Sequence, residues 1–290
     1  MGWWPFTGNA NDLSGNTNNG LVNGAILTTD RFGNLNNAYS FDGINDYILV
    51  NNNTSLCPIV YSISAWVKSN GYYINGQDDA NYIVGKGTDF NVGHYSLHYK
   101  SISLKARASI GIGSSGLYVA SNSNINLNNW IYLANTWDGN NLRIYINGIL
   151  ENSIYSPNNV QGVSSENLYF GTMAGNSTWP YWLNGKIDDI GIWNRALTQQ
   201  EITNLYNASL STEDFAINTI DIYPNPTTSL LNFKSAIQVE KILIYNMLGQ
   251  LVQQEKVNAL EGTINIEKLA QGTYIVKVND LDKGYTIIKN

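Results

Sequence analysis

Cleavage of a glycosidic bond ordinarily needs two carboxylates flanking the bond, one acting as acid and the other as nucleophile or base. Between residues 1 and 208 the sequence offers Glu151, Glu166 and Glu201, and no two of them fall on one expected strand. Thr198-Gln199-Gln200-Glu201 has the spacing of a capping box, which assigns Glu201 to a helix start. Asp188 and Asp189 are adjacent. Neighbours on a regular strand point to opposite faces, so the pair is not expected to flank one bond. His94 or His98 could join a Ser-His-Asp arrangement, but no nucleophile elbow accompanies them. Their four-residue spacing puts both on one face of a strand. With no third ligand in sight, they read as two satisfied surface histidines. Gly111-Ile112-Gly113-Ser114-Ser115-Gly116 matches a dinucleotide fingerprint in letters only. The following Leu117-Tyr118-Val119-Ala120 does not open a helix, so the stretch reads as a loop between strands.

Oxygen-bearing side chains are better placed for a hard cation. Calcium takes six to eight oxygens from carboxylates, amides and carbonyls. Asp42-Gly43-Ile44-Asn45-Asp46 alternates such side chains around a flexible glycine. The expectation is one structural calcium ion held by Asp42, Asn45 and Asp46 and shared with Asp188 or Asp189, with Asp12 and Asn16 as weaker candidates. The competing reading is that these residues form turns and bond backbone N–H groups.

Aromatic side chains are the other chemical resource. Trp66, Trp130, Trp137 and Trp193 sit in or beside alternating strands and are expected in the core, and Trp182 beneath the strand that follows it. Trp179, in a polar Gly/Asn/Ser loop, has no evident burial partner. Tyr72 and Tyr73 lie in a similar loop beside Asp78 and Asp79. A ring that stacks on sugar C–H groups, with carboxylates nearby to fix hydroxyls, is what saccharide binding requires. The loops 71–80 and 175–181 are therefore expected to form a ligand rim, with Trp179 as platform and Tyr72, Tyr73, Asp78 and Asp79 as helpers; the competing reading is that these loop aromatics fold onto their own sandwich.

Positioning these groups falls to short strands. Tyr61 to Val67, Tyr82 to Val84, His94 to Tyr99, Trp130 to Ala134, Leu142 to Ile146 and Ile187 to Trp193 alternate apolar and polar residues between Gly/Asn turns, the pattern of a sandwich or jelly roll. Asn147-Gly148 is a tight-hairpin signal, because both central positions tolerate positive φ. One short helix follows the capping box, with Ile202, Leu205 and Tyr206 as its apolar face, ending near Asn207. Ser209 to Thr219 reads as a linker. Alternation resumes at Ile220 and continues to Asn290. The expected architecture is all-β: a two-sheet jelly roll over residues 1–208 with one helix at its end, a linker at 209–219, and a small Ig-like sandwich over 220–290.

Composition narrows the function classes. The chain has 290 residues, 13% of them charged, and a net charge of −6, which argues against a nucleic-acid partner. No apolar run approaches the length of a membrane span. Cys57 is alone, so no intrachain disulfide is possible, and it reads as a small buried residue or else as an unpaired or intermolecular thiol. The first residues, Met1-Gly2-Trp3-Trp4-Pro5-Phe6, lack the basic and apolar regions of a signal peptide, so a truncated or fragmentary start is expected.

Two resemblances add to this reading. Asn11 to Asn16, Ala38 to Tyr47, Ile63 to Val67, Trp130 to Trp137, Leu142 to Gly148 and Asn184 to Leu197 together resemble the laminin-G-like jelly rolls of the concanavalin-A-like lectin superfamily. That resemblance implies a two-sheet sandwich, often binding carbohydrate or another ligand and sometimes calcium. Tyr223-Pro224-Asn225-Pro226, Leu248 to Val252, Leu269 to Val278 and the closing Ile287 to Asn290 resemble the type A C-terminal sorting domain of the type IX secretion system. This implies export by that machinery through residues 220–290 to the outer-membrane surface of a Gram-negative bacterium or the extracellular space. The leading expectation is a secreted module that binds a glycan or extracellular polymer and is not itself an enzyme. The alternatives are a structural or adhesive protein-interaction module of a larger surface protein, or a glycoside hydrolase of the same fold.

Overall fold

The computed structural model describes residues 1–71, 79–88, 91–112, 115–157, 162–173, 181–208, 220–279 and 284–290. It divides into two compact units, Met1–Asn207 and Ala208–Asn290. The expected linker at 209–219 lies outside the described residues.

The first unit opens with β1 (Gly2–Trp4), β2 (Gly20–Asn23), β3 (Ile26–Thr28), β4 (Ala38–Asp42) and β5 (Tyr47–Val50). Then come β6 (Tyr61–Ser69), β7 (Ala80–Lys86), β8 (Tyr95–Lys100), β9 (Lys105–Ile112) and β10 (Ser115–Ala120). β11 (Trp130–Trp137), β12 (Asn141–Ile146), β13 (Ile149–Tyr155), β14 (Leu168–Phe170), β15 (Asn184–Trp193) and α1 (Gln199–Ala208) complete it. One sheet runs β13-β12-β11-β6-β15-β4-β3 with β1 also on β15, and the second runs β10-β9-β8-β7-β14-β5-β2. All strand pairings in these two sheets are antiparallel, and the inward residues of both sheets share one core. Trp4, Ile63, Val67, Leu133 and Ile187 come from the first sheet, and Ile48, Tyr95, Leu97, Ile110 and Phe170 from the second.

Local signals explain the turns and the helix. Asn147 and Gly148 take φ of 49° and 78°, joining β12 to β13. A Cβ at Gly148 would also lie 3.1 Å from that of Tyr206, so the helix needs the glycine's bareness as well as its φ. At the start of α1 the Glu201 N–H donates to Thr198 Oγ1 at 3.2 Å, and the Thr198 N–H donates to Glu201 Oε2 at 2.9 Å. Ile202, Leu205 and Tyr206 then pack over the outer face of the first sheet, against Trp66, Tyr132 and Tyr145. Of the four tryptophans expected in the core, Trp137 lies between the sheets and Trp66, Trp130 and Trp193 lie beneath the helix.

The same outer face contains a departure from regular alternation. The register between β15 and β6 shifts between Asp188 and Gly191, and Asp189 has a φ of 46°. This bulge re-aims one side chain. Arg31 Nη1 consequently donates to Asp188, while its Nη2 donates to Asp189 Oδ2 at 2.7 Å. The expectation that adjacent aspartates must diverge is corrected by that extra residue. The guanidinium also lies 4.5 Å from the ring centre of Phe32 and 5.0 Å from that of Trp66. Burial pushes Asp188 up to about 8, helped by the Asp189 charge and opposed by Arg31.

The second unit holds β16 (Ile220–Tyr223), β17 (Leu230–Asn246), β18 (Leu251–Asn265), β19 (Gly272–Val278) and β20 (Gly284–Lys289). Register shifts along the β17–β18 ladder bend β17, whose first half pairs with β16 and whose second half pairs with β19. Leu231, Phe233, Ile244, Val276 and Ile287 form a separate core, which suits the expected Ig-like tail.

The Arg31 clasp generates a pH prediction. A folded carboxyl near 8, against 3.8 for the free group, means the folded state holds more protons between those values. Stability should therefore drain away as pH rises through that window. Asp188→Asn, measured by melting from pH 4 to 9, is expected to flatten this slope. Arg31→Met should destabilise the unit by about 3–5 kcal/mol, the cost of stranding buried charge, and more at high pH than at low.

Candidate functional site

Alternation decides which side chains of the second sheet are available for chemistry. Tyr95, Leu97 and Tyr99 of β8 and Ala106, Ala108 and Ile110 of β9 point into the core. Ser96, His98, Lys100, Arg107 and Ser109 therefore share the opposite, outer face. The register sets Ser96 against Ser109, His98 against Arg107 and Lys100 against Lys105. Tyr82 of β7 lies opposite His98, and Tyr118 of β10 opposite Ser109. By the same alternation Tyr169 of β14 and Tyr47 of β5 belong to this face, because Phe170 and Ile48 are core residues.

These groups make ordered contacts. The His98 ring stacks on Tyr82 with centroids 4.4 Å apart and planes within 9°, and Tyr181 packs on the same Tyr82 at 5.3 Å. Tyr47 touches Tyr169 at 5.9 Å and stacks with Trp182 at 6.0 Å. Trp182 thus packs across the second sheet and not under β15. Arg107 places its guanidinium 5.4 Å from the ring centre of Tyr118. A hydrogen-bonded chain lies beside the rings: His94 Nε2 to Ser109 Oγ at 2.8 Å, Ser109 Oγ to Ser96 Oγ at 2.6 Å, and Ser96 Oγ to His98 Nδ1 at 3.2 Å. Both histidines are buried, which corrects their reading as surface residues. Burial holds His98 well below the usual imidazole range, with the charges of Lys100 and Arg107 adding to the effect. Gly111 is required here because a Cβ would sit 1.6 Å from the Asn91 carbonyl oxygen. Of the Gly111–Gly116 stretch, Gly111 and Ile112 end β9, Ser115 and Gly116 open β10, and Gly113 and Ser114 lie outside the described residues.

Of the expected ligand rim, Trp179, Tyr72, Tyr73 and Asp78 lie outside the described residues. The described ends of the two loops do come together at this face. Asp79 pairs with Lys100 at 3.3 Å and accepts the Ile102 N–H at 2.7 Å. Tyr181 accepts the Tyr82 N–H at 3.4 Å.

The calcium expectation meets a different arrangement. Asp42 Oδ1 accepts the N–H groups of Ile44 and Asn45, and Asp46 Oδ2 accepts the Asp42 N–H. Asn45 is exposed. Asp42 pairs in register with Asn184, four residues along β15 from Asp188, a separation of about 13 Å. Asp188 and Asp189 already hold the Arg31 cation. The structure therefore brings Asp42 to Asp46 and Asp188 to Asp189, but not one pair to the other. Among the described residues no three His, Cys, Asp or Glu side chains converge as ligands of a metal, so this donor set does not fit a shared calcium ion. Asp12 likewise serves a turn, accepting from the N–H groups of Trp3, Ser14 and Asn18.

Cys57 is only half-buried, with Sγ 3.4 Å from the Ser164 carbonyl oxygen. It neighbours the buried Lys86, whose ammonium donates to Asn52 Oδ1 at 2.7 Å and to the Glu166 carbonyl. Burial lowers the Lys86 pKa, against the pull of Cys57 and Glu166.

Residues 42–203, more than half of the chain, match the family model of the concanavalin A-like lectin/glucanases superfamily. The chain belongs to that superfamily. Residues 221–289 of this lectin-like protein match the secretion system C-terminal sorting domain, the type IX sorting domain, so it is a secreted or cell-surface cargo of that system. The lectin-like chain is 32% identical over 103 residues to ulvan lyase NLR42 of Nonlabens ulvanivorans, and 31% identical over 90 residues to β-agarase A of Zobellia galactanivorans. These matches cover 34% and 30% of the chain but 17% of each enzyme. Among solved structures it resembles domain 4 of the extracellular arabinanase AbnA of Geobacillus stearothermophilus, with a TM-score of 0.56, 20% identity, and coverage of 71% of this chain and 97% of that one. The binding domain of botulinum neurotoxin serotype G gives a TM-score of 0.54 at 16% identity, over 98% of this chain and 74% of that one. At such identities these structures share the fold. Among the described residues no helix is long and apolar enough to cross a membrane.

The buried His98 supplies a second pH prediction. Its folded pKa lies below the free value of 6.5, so below that pH the unfolded chain takes up protons that the folded chain refuses. Stability should fall as pH drops under about 6.5. NMR titration of the imidazole should show no protonation at pH 7. His98→Phe keeps a ring on Tyr82 and should flatten the acid limb of the melting curve.

Proposed function

We propose that the lectin-like unit is a carbohydrate-binding module carried outside the cell by its sorting tail. The binding surface in this reading is the outer face of the second sheet. One observation carries it: Tyr47, Tyr169, Arg107 and Tyr118, each at least partly exposed, lie on one face of the second sheet, on β5, β14, β9 and β10, with the buried Tyr82 and His98 of β7 and β8 between them. Rings fixed by a sheet offer flat faces to sugar C–H groups, and the hydroxyls and cations between them suit sugar oxygens. Tyr118 is 53% exposed, so its ring is open to solvent. Domain 4 of AbnA was solved with arabinotriose and a botulinum neurotoxin binding domain with SialylT, which is consistent with saccharide recognition on this fold. Trp179, Tyr72, Tyr73, Asp78 and Asp79 remain in the proposal as residues of the two loops that end at this face.

Binding is favoured over cleavage. Glu201 caps α1 and pairs with Arg195, Glu151 accepts the Ser123 N–H, and Glu166 is exposed. None faces another glutamate across the proposed surface.

Glycan-array binding followed by calorimetry tests the reading. Tyr118→Ala and Trp179→Ala should each weaken binding by roughly 1–2 kcal/mol, the scale of losing a stacked ring, without lowering the melting temperature. Unchanged affinity in both would overturn this choice of face. For the tail, deleting residues 220–290 should retain the protein in the periplasm, and cell-surface labelling of the deletion checks this.

A further inference from the structure

Among the described residues, no carboxylate pairs with the Arg107 cation of this face. Its Nε is buried and makes no hydrogen bond. Its guanidinium lies against the Tyr118 ring. A half-buried guanidinium normally finds a carboxylate or carbonyl, because its donors lose water on burial. The surroundings add to the imbalance. Lys100 lies directly across from Lys105, and like charges in that position destabilise a sheet. Asp79 pairs with Lys100, and Lys105 donates to the Asn122 carbonyl at 2.6 Å. Lys100, Lys105 and Arg107 thus lie together at this end of β8 and β9, in a chain whose net charge is −6. A sheet that concentrates positive charge against the sign of the whole protein is arranged for an incoming anion.

We propose that Arg107, backed by Lys100 and Lys105, anchors an oxyanion on the saccharide, so that the ligand is an acidic glycan bearing uronate carboxylates or sulfate esters. This rests on the carbohydrate-binding reading and narrows it. The planar fork of arginine matches a two-oxygen anion, which a lysine meets only as a point charge. Tyr118, 53% exposed, supplies the open ring face beside the anchor, while the buried Tyr82–His98 stack lies on the other side of Arg107 in the strand order.

The test is calorimetric titration of the full chain with three soluble probes: a neutral hexose oligosaccharide, an oligogalacturonate, and a sulfated galactan oligosaccharide. At least one acidic probe should bind about tenfold more tightly than the neutral one, or about 1.4 kcal/mol, and the preference should shrink with added salt. Whichever acidic probe wins identifies the carboxylate or the sulfate as the anion. Arg107→Met should abolish the preference, and Arg107→Lys should restore part of it, with the melting temperature followed in both. Equal binding of neutral and acidic probes, or a preference that survives Arg107→Met, overturns the anion anchor. If the neutral probe still binds and is lost in Tyr118→Ala, the carbohydrate-binding reading stands without it. No binding of any saccharide overturns both.

Discussion

The structure depends on the two-residue period of β8 and β9. Each strand commits one set of side chains to the core, Tyr95, Leu97 and Tyr99 on one and Ala106, Ala108 and Ile110 on the other. What remains is fixed by subtraction: Ser96, His98 and Lys100 beside Ser109, Arg107 and Lys105. A slip of one residue would bury the cations and expose the tyrosines, so the same register that closes the core also composes the outer face. Gly111 beneath the Asn91 carbonyl and the irregularity between Tyr82 and Val84 limit how these strands can shift. Core and candidate site are two readings of one alignment.

Much of this was legible in the residues. The Asn147-Gly148 turn, the Thr198–Glu201 box with its apolar helix face, and the alternating runs of β6, β11, β12 and β15 each carry a short-range signal that the fold obeys. The outer face of the second sheet was less legible. β9 places alanine in the core at Ala106 and Ala108. Its alternation is therefore muted, and Arg107 passes as an ordinary surface cation. The histidines were misplaced for a related reason. Spacing says which face they share, but burial depends on long-range packing, which spacing does not carry. The convergence of Asp188 and Asp189 required an inserted residue and a positive φ on an aspartate, which alternation alone does not announce. In the sequence, the rings of the 71–80 and 175–181 loops have no evident burial partner, whereas the sheet carries rings of its own that alternation alone does not single out.

The sorting tail solves a different problem with the same elements. A 17-residue strand is too long to stay flat in a small unit. Irregularities in its ladder with β18 let it turn a corner and serve two sets of neighbours. Phe233 and Ile244, on either side of that corner, meet in one core.

The Arg31 clasp has a thermal consequence. A guanidinium held between Phe32, Trp66 and two aspartates has given up most of its water, and that lost hydration is the main charge against the ion pair. Hydration of charged groups carries a strongly negative entropy, so the loss matters less as temperature rises, while apolar burial gains little more per unit area. The junction of the 31–32 loop, β6 and β15 should therefore hold comparatively well in warm water. On heating, this corner of the lectin-like unit would be among the last to loosen, and the segments secured by apolar contact alone would lead the melting.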